Sequence, residues 1–321
     1  MKPGQWLLLV ATAASFASSI LIGKILIGTV PPLTLAAMRV LLAAPLCFAL
    51  LLAFHRELPR TRADRRTAVA ASLGVIVIPY CCLAIGQQTI PSGLSGILYS
   101  MMPLFTLLVA HFVLHDERLG LRKVAGIGIG IGGVVAVIGP SLLGGLGEHA
   151  IAELVTLCGP LAYAFGTVLM RRSRHLDPIG LTTAMFLAAT FVLVPLALIV
   201  EQPWQVRGGG LLVVELIALA IVGTILPAAL NYLLVQRVGA TRASVAMFLM
   251  PLIAVLFGVV FLDERLGLHA LVGMGLILAG SLVVNGVGRG APVAPPAGAS
   301  SSIGRAIPAQ VRFREVIMST A

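Results

Sequence analysis

Charge is what this chain has least of: Lys, Arg, Asp and Glu make up 11% of its 321 residues, and only 12 residues are acidic. Water-soluble domains carry about 25% charged residues, so there is too little polar surface here to coat a soluble globule. Cysteine is scarce too. Cys47, Cys81, Cys82 and Cys158 all fall inside long apolar runs, without disulfide-framework or zinc-ligand spacing, so buried free thiols are expected and no metal site is. No Gly-x-x-x-x-Gly-Lys-Ser/Thr string occurs, which excludes P-loop coupling to ATP, and nothing else in the chain calls for a cofactor.

What is abundant is hydrocarbon: 59% of residues are apolar and the mean hydropathy is +1.05. A bilayer core about 30 Å thick is crossed by about 20 apolar residues of helix. The chain supplies ten such runs: Trp6 to Ile27, Pro32 to Phe54, Thr67 to Gln87, Ser92 to Leu114, Val124 to Leu142, Glu153 to Met170, Gly180 to Val200, Leu211 to Gln236, Ser244 to Leu262 and Leu268 to Val287. They are longer than barrel strands and lack strict alternation, so the expected fold is an all-α polytopic membrane protein of ten transmembrane helices. Lys2 and the triplet Ala11-Thr12-Ala13 superficially suggest a secretory signal, but the apolar run continues past them, so the first run is expected to be a retained span. From about Gly286 the chain turns to Gly, Ala, Pro and Ser, too poor in apolar groups to offset ordering entropy. Residues 288–321 are therefore expected to form a disordered tail, with at most a short surface helix at Val311 to Met318.

The net charge of +10 could suggest nucleic acid, but its placement argues for membrane orientation instead. With the N-terminus inside, the inner segments hold Lys2; Arg56, Arg60, Arg62, Arg65 and Arg66; Arg118, Arg122 and Lys123; Arg171, Arg172 and Arg174; Arg237 and Arg242; and Arg289, Arg305, Arg312 and Arg314. The outer loops hold only Arg207 and Arg265, and Lys24 and Arg39 lie within spans. That bias predicts a multi-pass protein of the inner membrane with both termini cytoplasmic, its partners the lipid bilayer and a small-molecule substrate, not nucleic acid.

The string Asp-Glu-Arg-Leu-Gly-Leu occurs at Asp116 to Leu121 and again at Asp263 to Leu268. Sliding the chain by 148 residues also superimposes Pro79 on Pro227, Gln88 on Gln236, Met102 on Met250 and Pro103 on Pro251. Five spans per copy is an odd number, so the copies must be inverted: residues 1–142 as one five-helix repeat and 143–287 as the other. Inverted repeats recur in secondary transporters because two oppositely oriented copies can exchange conformations about a midplane site.

The chain also resembles the EamA type of the drug/metabolite transporter superfamily, which has two five-helix domains. The resemblance is carried by Gln88-Thr-Ile-Pro-Ser-Gly-Leu-Ser-Gly-Ile-Leu-Tyr-Ser-Met-Met-Pro-Leu104 with Glu117, and by Val238-Gly-Ala-Thr-Arg-Ala-Ser-Val-Ala-Met-Phe-Leu-Met-Pro251 with Glu264. Lys24 and the stretch Pro32 to Arg39 add to it. It implies a carrier driven by protons or another gradient, often an exporter of amino acids or other small metabolites, with its cavity between the halves. The second half departs from the pattern at the equivalents of Lys24 and Arg39, near Met170 and at Met185, so any role of those charges is not duplicated.

Lys24 and Arg39 are the strongest point signals, because an ionisable group within a span is costly and usually faces a cavity or a partner. Anion recognition or charge balance is the role expected of them, with snorkelling the alternative for Lys24, a turn from its helix end. On the fourth span Ser92, Ser95, Tyr99 and Thr106 share one face. Tyr80 and Gln87 share a face of the third, Thr224 and Asn231 of the eighth, and Tyr163 and Thr167 of the sixth. These groups could line a polar cavity; interhelical hydrogen bonding is the competing reading. Pro79, Pro103, Pro227 and Pro251 are candidate hinges or static kinks. Glu117, Glu264, Glu153 and Glu215 sit near span ends, where solvated interfacial charges are expected rather than proton carriers.

Two enzyme-like strings fail on context. Gly128-Ile-Gly130-Ile-Gly-Gly133 has no strand before it and lies in a membrane run, where small-residue helix packing explains it. Gly93-Leu-Ser95-Gly96 needs a base on a neighbouring helix, whereas His111 shares the serine's own span, about 160° away at about 100° per residue, and His269 lies at a span's outer edge. The expected function is therefore a secondary active transporter and exporter working by alternating access. A passive channel and an intramembrane enzyme are the alternatives.

Overall fold

In the computed structural model the described residues are 3–113, 120–143, 147–172, 175–239, 243 and 245–285. The first hexapeptide copy as far as Leu119, Glu117 included, and the tail lie outside them. Ten helices follow in order: α1 (Pro3–Ile27), α2 (Pro32–Ala53), α3 (Arg62–Ser72, Leu73–Val77 and Ile78–Gln87), α4 (Ser92–Tyr99 and Met102–Val113), α5 (Leu121–Leu143), α6 (Glu148–Arg172), α7 (Pro178–Val200), α8 (Gly210–Ala220, Ile221–Ile225 and Leu226–Val238), α9 (Val245–Leu262) and α10 (Leu268–Asn285). Nine contain apolar stretches long enough to cross a membrane, and the tenth is apolar and slightly shorter. No strand is present among the described residues.

The differences from the sequence reading have local causes. α3 starts at Arg62, five residues before Thr67, because the Thr61 hydroxyl accepts the Asp64 N–H at 3.1 Å and caps a polar first turn. α6 starts at Glu148, which carries Glu153 into the packed helix, 3% exposed and not at a solvated end. α4 is one span broken into two helical segments. Pro103 has no N–H to give, the chain turns at Ser100 and Met101, and the second helix restarts with the proline in its first turn, where no donor is needed. Pro251, its repeat counterpart, lies inside an unbroken helix.

The two halves are interleaved. α1 packs on α8 and α9 of the second half, and α6 packs on α3 and α4 of the first. Three further pairs, α2 with α7, α4 with α9 and α5 with α10, join equivalent helices of the two halves. Lipid tails are as apolar as leucine, so no hydrophobic drive holds these helices together, and close backbone approach at small residues does the work instead. The α5–α10 seam shows it: a Cβ on Gly126 or Gly133 would lie 2.7 Å from the carbonyl oxygen of Gly280 or Gly273 respectively. Of the glycines in the string 128–133, Gly130 and Gly133 are engaged, whereas Gly128 and Gly132 meet nothing within 4 Å.

The outside of the bundle is apolar, with Leu7, Leu52, Phe112, Phe191 and Ile199 all exposed. That suits acyl chains, not water. It also corrects the expectation for the thiols: Cys47 is buried and Cys81 and Cys82 half-buried, but Cys158 is exposed on α6, where an apolar thiol faces lipid at little cost.

The seam predicts opposite signs for one substitution at adjacent positions. Gly133→Ala is expected to lower the thermal unfolding temperature in detergent, through overpacking of about 1–3 kcal/mol. Gly132→Ala, which meets open space, is expected to leave it unchanged or raise it, by up to about 1 kcal/mol of helix propensity.

Candidate functional site

The site begins with two missing donors. Pro227 supplies no N–H to the Gly223 carbonyl four residues before it, and α8 passes through this point as a π-helical turn, Ile221–Ile225. The same device stands 148 residues earlier, where α3 has a π-helical turn at Leu73–Val77 just before Pro79. A carbonyl left free inside a membrane must find another donor. On α8, Ser15 Oγ of α1 donates to the Val222 carbonyl at 2.9 Å, and Arg39 Nη2 of α2 donates to the Gly223 carbonyl at 2.7 Å.

Arg39 is 7% exposed and sits seven residues into α2, about 10 Å along it at about 1.5 Å per residue. Its Nε donates to Thr224 Oγ1 at 2.7 Å, its Nη2 also donates to Ser19 Oγ at 2.7 Å, and its guanidinium lies 3.8 Å from the centre of the Tyr80 ring. All these partners are neutral. Ser19, Gly23, Leu35, Ala36, Arg39, Tyr80, Leu83, Ala84, Gln87 and Leu219 enclose a cavity of about 20 Å³ between α1, α2, α3 and α8. That is room for about one water, so a metabolite enters only after the helices part. Gln87 is held by its Nε2, which donates to the Ile20 carbonyl at 2.8 Å.

At the bundle end remote from residue 3, three charged side chains close helix termini across the fold. Lys24 Nζ donates to the carbonyls of Gln87 at 2.6 Å and Ile90 at 2.9 Å, where α3 finishes. The Glu264 carboxylate accepts the N–H groups of Ser92 at 2.6 Å and Gly93 at 2.9 Å, where α4 starts. The Glu201 carboxylate accepts those of Leu33 at 3.0 Å and Thr34 at 2.7 Å, where α2 starts. Each charge has the sign that the helix dipole favours, cation at a C-terminus and anion at an N-terminus. Glu264 thus differs from the solvated interfacial charge that its position beside Arg265 suggests. Its carboxylate reaches α4 past Gly258, where a side chain would block it. The opposite end is looser: a polar groove of about 370 Å³ is lined by His55, Arg56, Glu57, Arg60, Asp64, His175 and Asp177 among others.

Of the residues singled out in the sequence, Arg39, Tyr80 and Gln87 meet at the cavity. The others that are described lie outside its lining. Lys24 is spent on the end of α3. Ser95 Oγ donates to the Pro91 carbonyl in its own helix, and Tyr99 Oη donates to the Pro79 carbonyl at 2.6 Å, tying α4 to α3. Thr106 and Thr167 each donate to the carbonyl four residues back, the second to that of Tyr163. Asn231 is half-buried on α8. Sequence reasoning missed Ser19 and the carboxylate caps. The cluster of hydroxyls at Ser15, Ser18 and Ser19 was the available signal for the first; the caps join segments more than 160 residues apart and leave none.

The sequence model of the EamA-like transporter family matches residues 4–139 and again 150–286. Among curated relatives, an "Uncharacterized transporter" of Archaeoglobus fulgidus is 27% identical, over 87% of this chain and 98% of its own. A "Probable amino-acid metabolite efflux pump" of Salmonella typhimurium is 26% identical, over 80% of this chain and 86% of its own. A solved structure titled "Crystal structure of protein" superimposes with a TM-score of 0.59 at 20% identity, covering 85% of this chain and 96% of that one; this likeness concerns the fold alone.

The caps predict a stability difference. Glu264→Ala leaves the Ser92 and Gly93 N–H groups without their acceptor and is expected to cost about 0.5–2 kcal/mol, read as a lowered unfolding temperature in detergent. Glu57→Ala, at an exposed pair with Arg60, is expected to change it negligibly.

Proposed function

Because the chain belongs to the EamA-like transporter family, we propose that it is a secondary active carrier that exports a small metabolite from the cell by alternating access. In this reading it spans the inner membrane with both termini cytoplasmic, on the strength of the lysine and arginine bias. Residues 1–142 and 143–287 act as the two moving halves. The observation that carries the reading is the pair of π-helical turns, each just before a proline at matched positions of oppositely oriented halves, the one on α8 directly beside the small cavity. Pro79 and Pro227 serve as hinges, with Pro103 and Pro251 shaping the helices that slide beside them. An amino acid or a related metabolite is the substrate class, in keeping with the name of the Salmonella typhimurium relative.

Protons are the coupling ion we favour. Glu264 and Glu201 each hold the start of a helix in the other half through a charged carboxylate. A proton gradient is the driving force that the family resemblance implies, and these caps hold shut the end of the bundle that must open during transport. A passive channel would need a continuous polar pore; a cavity of about 20 Å³ does not favour one.

The test is flux in proteoliposomes holding the full-length protein, with a panel of amino acids, short organic acids, amines, sugars and nucleosides inside. Saturable, counterflow-competent efflux of at least one compound, accelerated by an imposed proton gradient, is expected. Non-saturable flux would indicate a channel, and no flux of any compound under any gradient would overturn the carrier reading.

A further inference from the structure

Arg39 brings a charge into the bundle that the protein does not neutralise. Its hydrogen bonds go to two hydroxyls and a carbonyl, its face rests on a tyrosine ring, and among the described residues no carboxylate pairs with it. These neutral partners satisfy donors but supply no counter-charge, and an arginine in a membrane interior ordinarily pairs or marks a substrate path. The bonds run through Nε and Nη2. Nη1, with two N–H groups, has no acceptor among the described residues, and Arg39 lines the cavity.

We infer that Arg39 Nη1 is the binding site for a single carboxylate on the transported metabolite, an inference that rests on the carrier reading above. The bonds through Nε and Nη2 and the Tyr80 ring fix the plane of the guanidinium, so the Nη1 N–H groups are presented in one orientation to an anionic acceptor. The charge count selects the class. Arg39 is the one cation among the residues that line the cavity, and Lys24, the other cation within a span, is held by the Gln87 and Ile90 carbonyls; a dianion such as a phosphate ester would bury a second, unpaired charge. The rest of the wall, Leu35, Ala36, Leu83, Ala84 and Leu219, suits an aliphatic body. A small monocarboxylate with an apolar chain and no second charge, as in a short aliphatic acid, meets all three conditions. A purely structural pin between α2 and α8 would use the same bonds but would be indifferent to the charge of the substrate.

That difference is measurable. Proteoliposomes of the full-length protein are loaded with aliphatic amino acids and short aliphatic acids, or with their amides, and efflux is followed by mass spectrometry after subtracting leak from protein-free vesicles. An acid is expected to leave about 10- to 100-fold faster than its amide, the gain of one hydrogen bond between charged groups. Arg39→Gln is expected to bring that ratio close to one, and Arg39→Lys to keep part of it. If Arg39→Gln fails to fold, the ratio for the unaltered protein still decides. Amides leaving as fast as acids, or efflux confined to the neutral and cationic compounds of the wider panel, would overturn the carboxylate site and leave the carrier standing. No flux of any compound would remove the carrier reading, and this inference with it.

Discussion

A backbone carbonyl or N–H group inside lipid has no water to turn to, and each one left unpaired costs several kcal/mol. The features that distinguish this molecule from a plain bundle of apolar rods are responses to that constraint. Proline at 227 removes a donor, α8 widens into a π-helical turn, and the polar side chains Ser15 and Arg39 are drawn in to serve its carbonyls. At helix ends the same need recruits Lys24, Glu201 and Glu264. Within the spans and at the helix ends, these few charged side chains thus stand where the backbone lacks a partner.

The repeat supplies the scaffold twice, but the chemistry only once. Arg39 on α2 has Met185 as its equivalent on α7, and Met185 is buried among Ala68, Ala71, Ile76 and Val77 beside the other π-helical turn. Arg39 meets the α8 turn with a guanidinium, and Met185 meets the α3 turn with a thioether. The backbone device is symmetric and the side chains are not: a guanidinium lies at one turn, and at the other the Met185 carbonyl accepts from the Ser72 hydroxyl within an apolar cluster. On the carrier reading, symmetry of backbone would let the halves exchange shapes while the polar side chains stay on one side only.

The sequence was most informative where a feature is local. Ten apolar runs, the odd number per copy and the clustering of basic residues in alternate loops follow from periodicity and counting. Arg39, Tyr80 and Gln87 stood out because polar groups on apolar helices are few. The polar stripe on α4 was less useful: Ser95 and Thr106 bond within their own helix, and Tyr99 turns to the Pro79 carbonyl, since a hydroxyl in lipid takes the nearest free carbonyl. The role of Glu264 could not be read, because its partners at Ser92 and Gly93 lie more than 170 residues away and its own neighbours, Asp263 and Arg265, suggest a solvated turn. Helix breaks were equally hidden: α4 is interrupted just before Pro103 while α9 runs unbroken through Pro251, so a proline by itself does not say whether a helix stops.

On the carrier reading, the strength of the caps sets how the molecule can move. A helix cap contributes about 1 kcal/mol, somewhat more when the acceptor is charged, so the two carboxylate caps at the closed end amount to a few kcal/mol. A state that much higher in free energy is populated at about 0.1–10%. The closed end can therefore open spontaneously, yet stays shut most of the time. A potential of 100 mV is worth about 2.3 kcal/mol per charge moved, and a carboxylate binding to Arg39 would add an interaction of similar size. The latch is thus matched to the forces available to a gradient-driven carrier: strong enough to bias one face closed, weak enough for substrate and gradient together to reverse it. Caps built into a buried hydrophobic seam would hold harder, and such a protein would be locked.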